Sequence, residues 1–299
     1  MKRSFWKGTF FDLDPGESDF QTAQVVIIPA GYEGTVSYRK GTAKAPYAIF
    51  QASQQVELYE PELGLEPCQS GIATHPPLEL EALKVNQAIV EVEKAIEKVL
   101  QAGKKPVLLG GEHSLSLGVI KALKRFFPEF SLLVLDAHAD LRDSYLGEKF
   151  SHACVMRRIL EQGVKPVWVG VRSLSKQEAQ LIKEKNLEVY FAHQLSPGSG
   201  WEIKIAKTLG EIFYLSLDLD VFDPSQVPGV GTPEPAGMFY SQVLSLLKAL
   251  AKEGKNLIGF DLVELAPIEG EVVSEFTTAR LLYQIIGWFW SRALFKKSL

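Results

Sequence analysis

Short apolar segments alternate with amphipathic segments along most of the chain. The apolar segments have the length of buried strands and are AQVVIIPA (23–30), KPVLLGG (105–111), SLLVLDAHAD (131–140), KPVWVGVR (165–172), LEVYFA (187–192), IFYLSLDLD (212–220) and NLIGFDLVEL (256–265). The amphipathic segments carry apolar residues at helical spacing and include LEALKVNQAIVEVEKAIEKVLQ (80–101), SLGVIKALKRFF (116–127), SKQEAQLIKEKN (175–186) and SQVLSLLKALAKEG (241–254). This alternation predicts a three-layer α/β/α fold in which helices cover a mainly parallel central sheet.

The chain contains no internal repeat and no polar linker long enough to separate two folding units. Its segment richest in proline and glycine is DPSQVPGVGTPEPAG, residues 223–237, which directly follows the apolar run at 212–220. Open α/β folds bind their ligands beyond the carboxyl ends of the strands, so this segment is interpreted as an active-site loop. We therefore expect one domain over residues 1–299.

Composition excludes several classes of partner. The net charge is −4 and the pI is near 5.8, which gives no electrostatic reason to expect binding to nucleic acid or to an anionic membrane. The N-terminus lacks the continuous apolar core of a secretory signal, and no later run reaches the length of a membrane span. The two cysteines, Cys68 and Cys154, are expected to be unpaired thiols in the cytoplasm.

Two of the predicted strands end in clusters of metal-type ligands. Asp136, His138 and Asp140 alternate in VLDAHAD, and Asp218 and Asp220 alternate in SLDLDVFDP. Residues at i, i+2 and i+4 of an extended strand share one face, so the five side chains are predicted to converge. Two carboxylates about 4 Å apart repel by roughly 4 kcal/mol at an effective dielectric near 20. The sequence therefore predicts bound cations.

A sixth ligand candidate, His113, follows another apolar run through Gly110 and Gly111, which permit a close approach of the backbone. Two histidines and four carboxylates suit manganese better than zinc or copper, and four aspartates balance two dications. Two such ions about 3.5–4 Å apart would activate a bridging water as the nucleophile. The alternatives are a structural zinc site, disfavoured by the lack of cysteine, and a two-calcium site, disfavoured by the histidines.

The motifs GGEHS, DAHAD, SHACVMRR, SLDLDVFDP, GTPEP and DLVELAP, in this order, resemble those of the ureohydrolase family of agmatinase and arginase. The segment SYRKGTAKAPYAI, residues 37–49, looks like the agmatinase-type element, so the resemblance covers most of the chain. It implies the arginase-like fold and a centre of two manganese ions per subunit, with another divalent metal as the alternative.

The resemblance also implies roles for the ligand candidates. His113 and Asp140 would bind one ion, His138 and Asp220 the other, and the remaining two carboxylates would bridge them. The implied metal ligands are His113, Asp136, His138, Asp140, Asp218 and Asp220. Glu112 stands where the family more commonly has aspartate, and we expect it to alter only contacts behind the ligands.

Three further residues match family positions that act on the substrate. His152 would relay protons and contact the substrate, Glu264 would bind the guanidinium through paired hydrogen bonds, and Thr232 would contact the substrate. Asp140 would relay a proton as the amine leaves. With these roles Asp140, His152 and Glu264 are the predicted catalytic residues. Asp261 is expected to support the site from behind.

The implied reaction is hydrolysis of agmatine to putrescine and urea by a metal-bridging hydroxide. Aminopropylagmatine, which would give spermidine and urea, and guanidinobutyrate are the alternative substrates. Arginine is disfavoured because LRDSYLGEKFS (141–151) lacks the asparagine-rich pattern of arginases. Asp143 and Glu148 in this segment are expected to form an acidic rim that attracts a small cationic guanidino substrate.

Other functions are weighed against this one. A cysteine hydrolase built on Cys154 would need a partnered base, which the sequence does not indicate. A catalytically silent relative would lack a ligand, and a metal-dependent deacylase of the related fold would need only one ion. The aromatic tail LLYQIIGWFWSRALFKK, residues 281–297, is typical of core or a subunit interface. The family suggests a homo-oligomer, a trimer or a hexamer.

Overall fold

The computed structural model describes residues 8–291. Within this range eight strands form a single sheet. The strands are β1 (Val25–Ala30), β2 (Ile72–Thr74), β3 (Lys105–Gly110), β4 (Ser131–Leu135), β5 (Pro166–Val171), β6 (Glu188–Phe191), β7 (Ile212–Asp218) and β8 (Asn256–Val263). Their order across the sheet is β2-β1-β3-β8-β7-β4-β5-β6, and every pair is parallel. The predicted parallel sheet is confirmed.

Helices cover both faces of this sheet. They are α1 (Pro15–Ser18), α2 (Ala45–Ser53), α3 (Val85–Gln101), α4 (Ser116–Phe126), α5 (Val155–Glu161), α6 (Lys176–Glu184), α7 (Trp201–Thr208), α8 (Tyr240–Lys252) and α9 (Val273–Trp290). Residues of α3, α4, α5 and α6 pack in one hydrophobic core, and residues of α2, α7, α8 and α9 pack in the other. The three-layer α/β/α prediction is therefore confirmed.

The strand sequences explain the two cores. In β1, Val25 and Ile27 enter one core while Val26 and Ile28 enter the other, and all four side chains are fully buried. A strand buried on both faces has no need of polar alternation, which is why the apolar runs are continuous. At about 25 cal/mol per Å² of buried apolar surface, these two cores are the main source of stability.

The differences from the sequence prediction lie in short elements. Strand β2 was not predicted, because three residues carry too little pattern to distinguish a strand from a loop. The aromatic tail forms α9 up to Trp290 and packs in a core as predicted, while residues 292–297 of that segment lie outside the described residues. Between residues 8 and 291, no helix combines the length and the apolar character needed to cross a membrane.

Candidate active site

The four central strands bring polar side chains to one edge of the sheet. Asp218 is the last residue of β7, Asp136 follows β4 directly, and Glu264 follows β8 directly. His113 lies three residues after β3, beyond a tight passage at Gly111, where an added Cβ would lie 1.9 Å from the carbonyl oxygen of Tyr32. Since β3, β8, β7 and β4 are neighbours, their carboxyl ends form one site.

Three carboxylates face one nitrogen of His113. Its Nδ1 lies 3.3 Å from Oδ2 of Asp136, 3.1 Å from Oδ2 of Asp140 and 3.3 Å from Oδ2 of Asp218. All four residues are buried. Ligand atoms of His113, Asp136 and Asp140 lie within 4.8 Å of one another, a spacing that fits coordination of one ion.

A second group of ligand atoms shares Asp136 with the first. Nδ1 of His138 lies 2.8 Å from Oδ2 of Asp220 and 3.7 Å from Oδ1 of Asp136, and the three residues again offer ligand atoms within 4.8 Å of one another. Asp218 is tied to this group because its Oδ1 accepts a hydrogen bond from the Asp220 backbone N–H at 2.9 Å. The structure thus brings all six predicted ligands together in two adjoining groups.

Hydrogen bonding behind His113 fixes which of its nitrogens faces the carboxylates. The Ser216 hydroxyl donates to Oδ1 of Asp261 at 2.7 Å, and the Tyr214 hydroxyl donates to Oδ2 at 2.8 Å. Because the single proton of Ser216 goes to Asp261, its oxygen accepts from Nε2–H of His113 at 3.0 Å. When the ring is neutral, as a metal ligand must be, it turns an Nδ1 lone pair toward three carboxylates; without a cation, and despite burial, these carboxylates raise the pKa of His113 well above its usual value. Asp261 supports the site from behind.

This donor set fits divalent cations. Nδ1 of His113 and Oδ2 of Asp136 are buried without a hydrogen-bond partner, although each faces other acceptors. Burial, together with the negative charge of Asp136, raises the pKa of Asp140 to about 7. Burial and the charges of Asp220 and Asp136 raise the pKa of Asp218 well above its usual value. Cations would pair the acceptors and allow these carboxylates to ionise.

The loops, rather than strand alternation, create this convergence. Strand β4 ends at Leu135, so Asp136, His138 and Asp140 lie in the following loop, where Asp140 has a left-handed backbone with φ of 51°. The expectation that these three share one face of an extended strand is therefore wrong. Turning the chain lets Asp140 face back toward His113, which straight strand geometry would not achieve.

Arg172 holds the loop that carries Asp220 and Thr232. The Arg172 guanidinium donates to the backbone carbonyls of Asp220 and Glu234, each at 2.8 Å, and to that of Pro235 at 3.0 Å. The planar group with five N–H donors suits a curved segment whose carbonyls converge. This fixes segment 220–235 across the site.

A cavity of about 270 Å³ opens above the ligands. Its wall includes the predicted catalytic and substrate-binding residues Asp140, His152, Thr232 and Glu264, together with His138, Asp218 and Asp220. Thr232 Oγ1 lies 3.4 Å from Oδ2 of Asp220, which places its hydroxyl beside the metal-ligand group. The predicted substrate residues therefore surround the same space as the predicted metal ligands.

Glu264 lies at the floor of this cavity. Its Oε1 accepts the backbone N–H of His113 at 2.6 Å, and its backbone is left-handed with φ of 65°. Such a conformation is costly for a residue with a side chain and is found mainly at functional sites. Burial also raises the pKa of the Glu264 carboxyl well above its usual value.

His152 lies at the cavity wall on a short 3-10 helix, His152–Cys154. The ring packs edge-on against Tyr145 with centroids 5.8 Å apart. Burial lowers the pKa of His152 to about 4, and the nearby imidazoles of His113 and His138 add to this effect. The ring is therefore neutral at physiological pH.

Several residues that line the cavity were not identified from the sequence. Arg39, Arg142, Tyr145 and Glu178 form part of its wall. Glu178 is almost fully buried and caps α6, where its carboxylate accepts the backbone N–H of Ser175 at 2.7 Å. The S-x-x-E spacing at the start of this helix is a capping-box pattern that identifies the cap but not its proximity to the cavity.

The sequence predicts an acidic rim at Asp143 and Glu148. Neither Asp143 nor Glu148 lines the cavity, and the Asp143 carboxylate is paired with Arg158 at 2.7 Å. The sequence could not show this pairing, because the partner comes from the next helix. Cys154 and Cys68 are free, as expected, and burial raises the pKa of the Cys154 thiol, which disfavours the thiolate that a cysteine hydrolase would need.

Comparison with known proteins agrees with this geometry. Residues 23–287 match the model of the arginase family. The chain is 41% identical over 287 residues to N(1)-aminopropylagmatine ureohydrolase of Synechocystis sp., covering 94% of this chain and 93% of the relative. It is 34% identical over 279 residues to agmatinase of Pyrococcus horikoshii, covering 93% and 96%.

A solved structure, that of agmatine ureohydrolase of Thermoplasma volcanium, superposes with a TM-score of 0.86 at 30% identity and covers 99% of both chains. The arginase family depends on a binuclear metal centre, and the candidate site described above offers two adjoining ligand groups. The chain therefore belongs to the arginase family, within which it is an agmatinase-like ureohydrolase that acts on guanidino compounds.

Proposed function

We propose that this enzyme hydrolyses the guanidinium group of a linear, agmatine-type amine and releases urea. The observation that carries the proposal is the convergence of six ligand side chains, four of which line one cavity together with His152, Thr232 and Glu264. A binding module would not need an imidazole and a carboxylate in the same cavity as a metal-ligand cluster.

Hydrolysis of a guanidinium group requires the transfer of two protons from water to the leaving amine. The oxygen of water becomes the carbonyl oxygen of urea, and both of its protons end on the leaving amine, so the charge is unchanged overall. Asp140 and His152, which both line the cavity, would carry protons between these positions. Glu264 is placed to hold the planar guanidinium, and Thr232 to contact it through its hydroxyl.

We propose manganese as the metal, two ions per subunit, held by the six ligands. Oxygen-rich sites with two histidines favour manganese over softer ions, and the four aspartates balance two dications. When bound, the ions supply a water nucleophile with a strongly lowered pKa and neutralise the buried carboxylates.

For the substrate we place N(1)-aminopropylagmatine first and agmatine second, which reverses the order suggested by the sequence analysis. The relative with 41% identity carries the aminopropylagmatine name, whereas the agmatinase from Pyrococcus horikoshii is 34% identical. Both substrates lack an α-carboxylate. Guanidinobutyrate is the third candidate, because Arg39 and Arg142 in the cavity wall offer positive charge to a carboxylate.

A urea-release assay with the manganese-loaded enzyme tests this proposal. Initial rates are compared over N(1)-aminopropylagmatine, agmatine, guanidinobutyrate and arginine. We expect kcat/KM to be highest for N(1)-aminopropylagmatine and lowest for arginine. A higher kcat/KM for arginine than for either amine would overturn the substrate assignment, and no urea from any of them would overturn the function.

We further propose that residues 1–299 form a single ureohydrolase domain that acts in the cytoplasm as a homo-oligomer, a trimer or a hexamer. One sheet and its two cores span the described part of the chain, which supports the single domain. Light scattering coupled to size-exclusion chromatography tests the assembly. A monomer at micromolar concentration would contradict it.

A further inference from the structure

The carboxylate of Glu112 joins the GGEHS segment to a loop at the cavity mouth. Its Oε2 accepts the backbone N–H groups of Gly34 at 2.8 Å and Thr35 at 2.7 Å. Its Oε1 accepts the hydroxyls of Thr35 at 2.8 Å and Ser114 at 2.5 Å. Glu112 is fully buried, and these four donors fill the acceptor capacity of a carboxylate. Val36, the residue after Thr35 in the sequence, lines the cavity.

The Thr35 hydroxyl lies between this carboxylate and His152. Its oxygen accepts the backbone N–H of His152 at 3.1 Å and lies 3.2 Å from Nδ1 of the same ring. A hydroxyl has only one proton, and here that proton is donated to Glu112. The ring contact must therefore be a hydrogen bond from Nδ1–H to the Thr35 oxygen.

The position of the second ring nitrogen follows from this arrangement. A neutral imidazole carries one proton, so a proton on Nδ1 leaves a lone pair on Nε2. Because His152 lines the cavity and its Nδ1 side is tied to Thr35, the ring offers Nε2 as an acceptor on its other side. In this tautomer the resting ring can take up a proton and return it from the same atom.

The geometry points to Glu112 as a positioning residue that acts through Thr35 to hold His152 in the Nδ1–H tautomer. This inference rests on the proposed function only for the use that the enzyme makes of the free Nε2. Glu112 itself does not line the cavity. An aspartate at this position would be one methylene shorter than Glu112.

The Glu112→Gln variant gives a sharp test because it has nearly the same shape. Two backbone N–H groups donate to the Oε2 position, so the amide oxygen would occupy it and the NH₂ group would face Thr35. The Thr35 hydroxyl would then accept from the amide and donate to Nδ1 of His152. We expect the ring proton to move to Nε2.

The tautomer is measured by ¹⁵N magic-angle-spinning NMR of histidine-labelled enzyme loaded with diamagnetic Mg²⁺ at a pH of about 8, above the usual histidine pKa. The chain has five histidines, and loss of a signal in His152→Gln assigns the one required. We expect a protonated Nδ1 and an unprotonated Nε2 in the parent, the reverse in Glu112→Gln, and loss of the single tautomer in Thr35→Val.

Ser114→Ala is the matched control, because it removes a donor to the same Glu112 oxygen without touching His152. It should keep the parent tautomer. With manganese, Thr35→Val and Glu112→Gln should lower kcat about 10- to 100-fold and change KM less than about threefold.

A parent ring protonated on Nε2, or an unchanged tautomer in both variants, would overturn the inference. The parent enzyme could show the expected tautomer and yet release urea from no guanidine. That result would support the role of Glu112 and Thr35 in holding His152, and it would overturn the proposed function instead.

Discussion

Two histidines of the site are each held by hydrogen bonds that run from a carboxylate through a hydroxyl to the imidazole ring. The two sets of hydrogen bonds lie in different surroundings. In the metal-centre array, defined as Asp261, Ser216 and His113, the carboxylate and the hydroxyl lie at paired positions of neighbouring strands β8 and β7. In the cavity array, Glu112, Thr35 and His152, the hydroxyl comes from a loop 117 residues away in sequence from its histidine.

The two arrays tether opposite ring nitrogens. His113 is held through Nε2, so its Nδ1 lone pair faces the buried carboxylates, whereas His152 is held through Nδ1. The first array belongs to the rigid sheet and aims a ligand at a cation site. The second belongs to loops and aims a proton acceptor at an open cavity. Under the proposed function, the same hydrogen-bonding arrangement would serve coordination in one place and proton transfer in the other.

The largest effect is expected at Asp140, which faces His113 and also lines the cavity. Asp140→Asn should lower kcat/KM for urea release about 10³-fold or more, because the amide can neither bind a cation strongly nor relay the proton. Circular dichroism should show an intact fold. Asp143→Asn, outside the cavity, should stay within about twofold of the parent. Substantial activity in Asp140→Asn would remove Asp140 from the mechanism.

The Ser216→Ala variant tests the metal-centre array without changing the cavity array. It leaves Asp261 and Nε2–H of His113 without their shared partner, so we expect manganese affinity to fall about 10- to 100-fold while the His152 tautomer stays unchanged. Isothermal titration calorimetry measures the affinity. Tyr214→Phe is the matched control, since it removes the other donor to Asp261 without touching His113. Equal losses in both variants would contradict a specific tether.

Removing the metal with a chelator tests the six candidate ligands together. Removing manganese with a chelator should lower Tm by about 5–10 °C, because two ions, each at 100 times its Kd, contribute about 5 kcal/mol and each kcal/mol shifts Tm by about 1–2 °C in a chain of this length. The melting curve is followed by fluorescence with and without metal. A Tm that does not respond to chelation would contradict a folded-state cation site.

The increase in Tm that manganese binding produces should grow with pH. The pKa of Asp140 is raised to about 7 in the folded protein, so between pH 4 and 7 the folded chain holds a proton that the unfolded chain has lost. Stability of the metal-free protein therefore falls as pH rises through this window, while cations replace that proton. We expect a larger manganese-induced gain at pH 7.5 than at pH 5.5. A gain that shrinks over this range would refute the exchange of protons for metal.

The smallest effect is expected from Thr35→Ser, which keeps the hydroxyl of the cavity array. Urea release should remain within about threefold of the parent, and the His152 tautomer should be unchanged, because only a methyl group is lost. The kcat ratio of Thr35→Ser to Thr35→Val measures how much the hydroxyl contributes. A serine variant as slow as the valine variant would indicate a packing role for Thr35.

The sequence predicted the convergence of the six candidate ligands better than it predicted the cavity array. The six ligands and Asp261 lie in or next to apolar strand segments, and parallel strands bring their carboxyl ends to one edge, so local pattern was sufficient. The detailed geometry was not predictable, because Asp140 turns through a left-handed conformation that the strand pattern does not encode.

The cavity array escaped the sequence analysis for a different reason. Thr35 lies in a loop without periodicity, and its contacts with Glu112 and His152 span 77 and 117 residues. The pairing of Asp143 with Arg158 was missed in the same way. Contacts between loops depend on the assembled fold, and no local pattern records them.

Metal stoichiometry, measured by mass spectrometry on enzyme whose urea release has been titrated with manganese, tests the central claim most directly. We predict that activity rises with manganese and saturates at two equivalents per chain, one for each ligand group that shares Asp136. Full activity with one equivalent or with none would contradict a binuclear centre built from these six side chains.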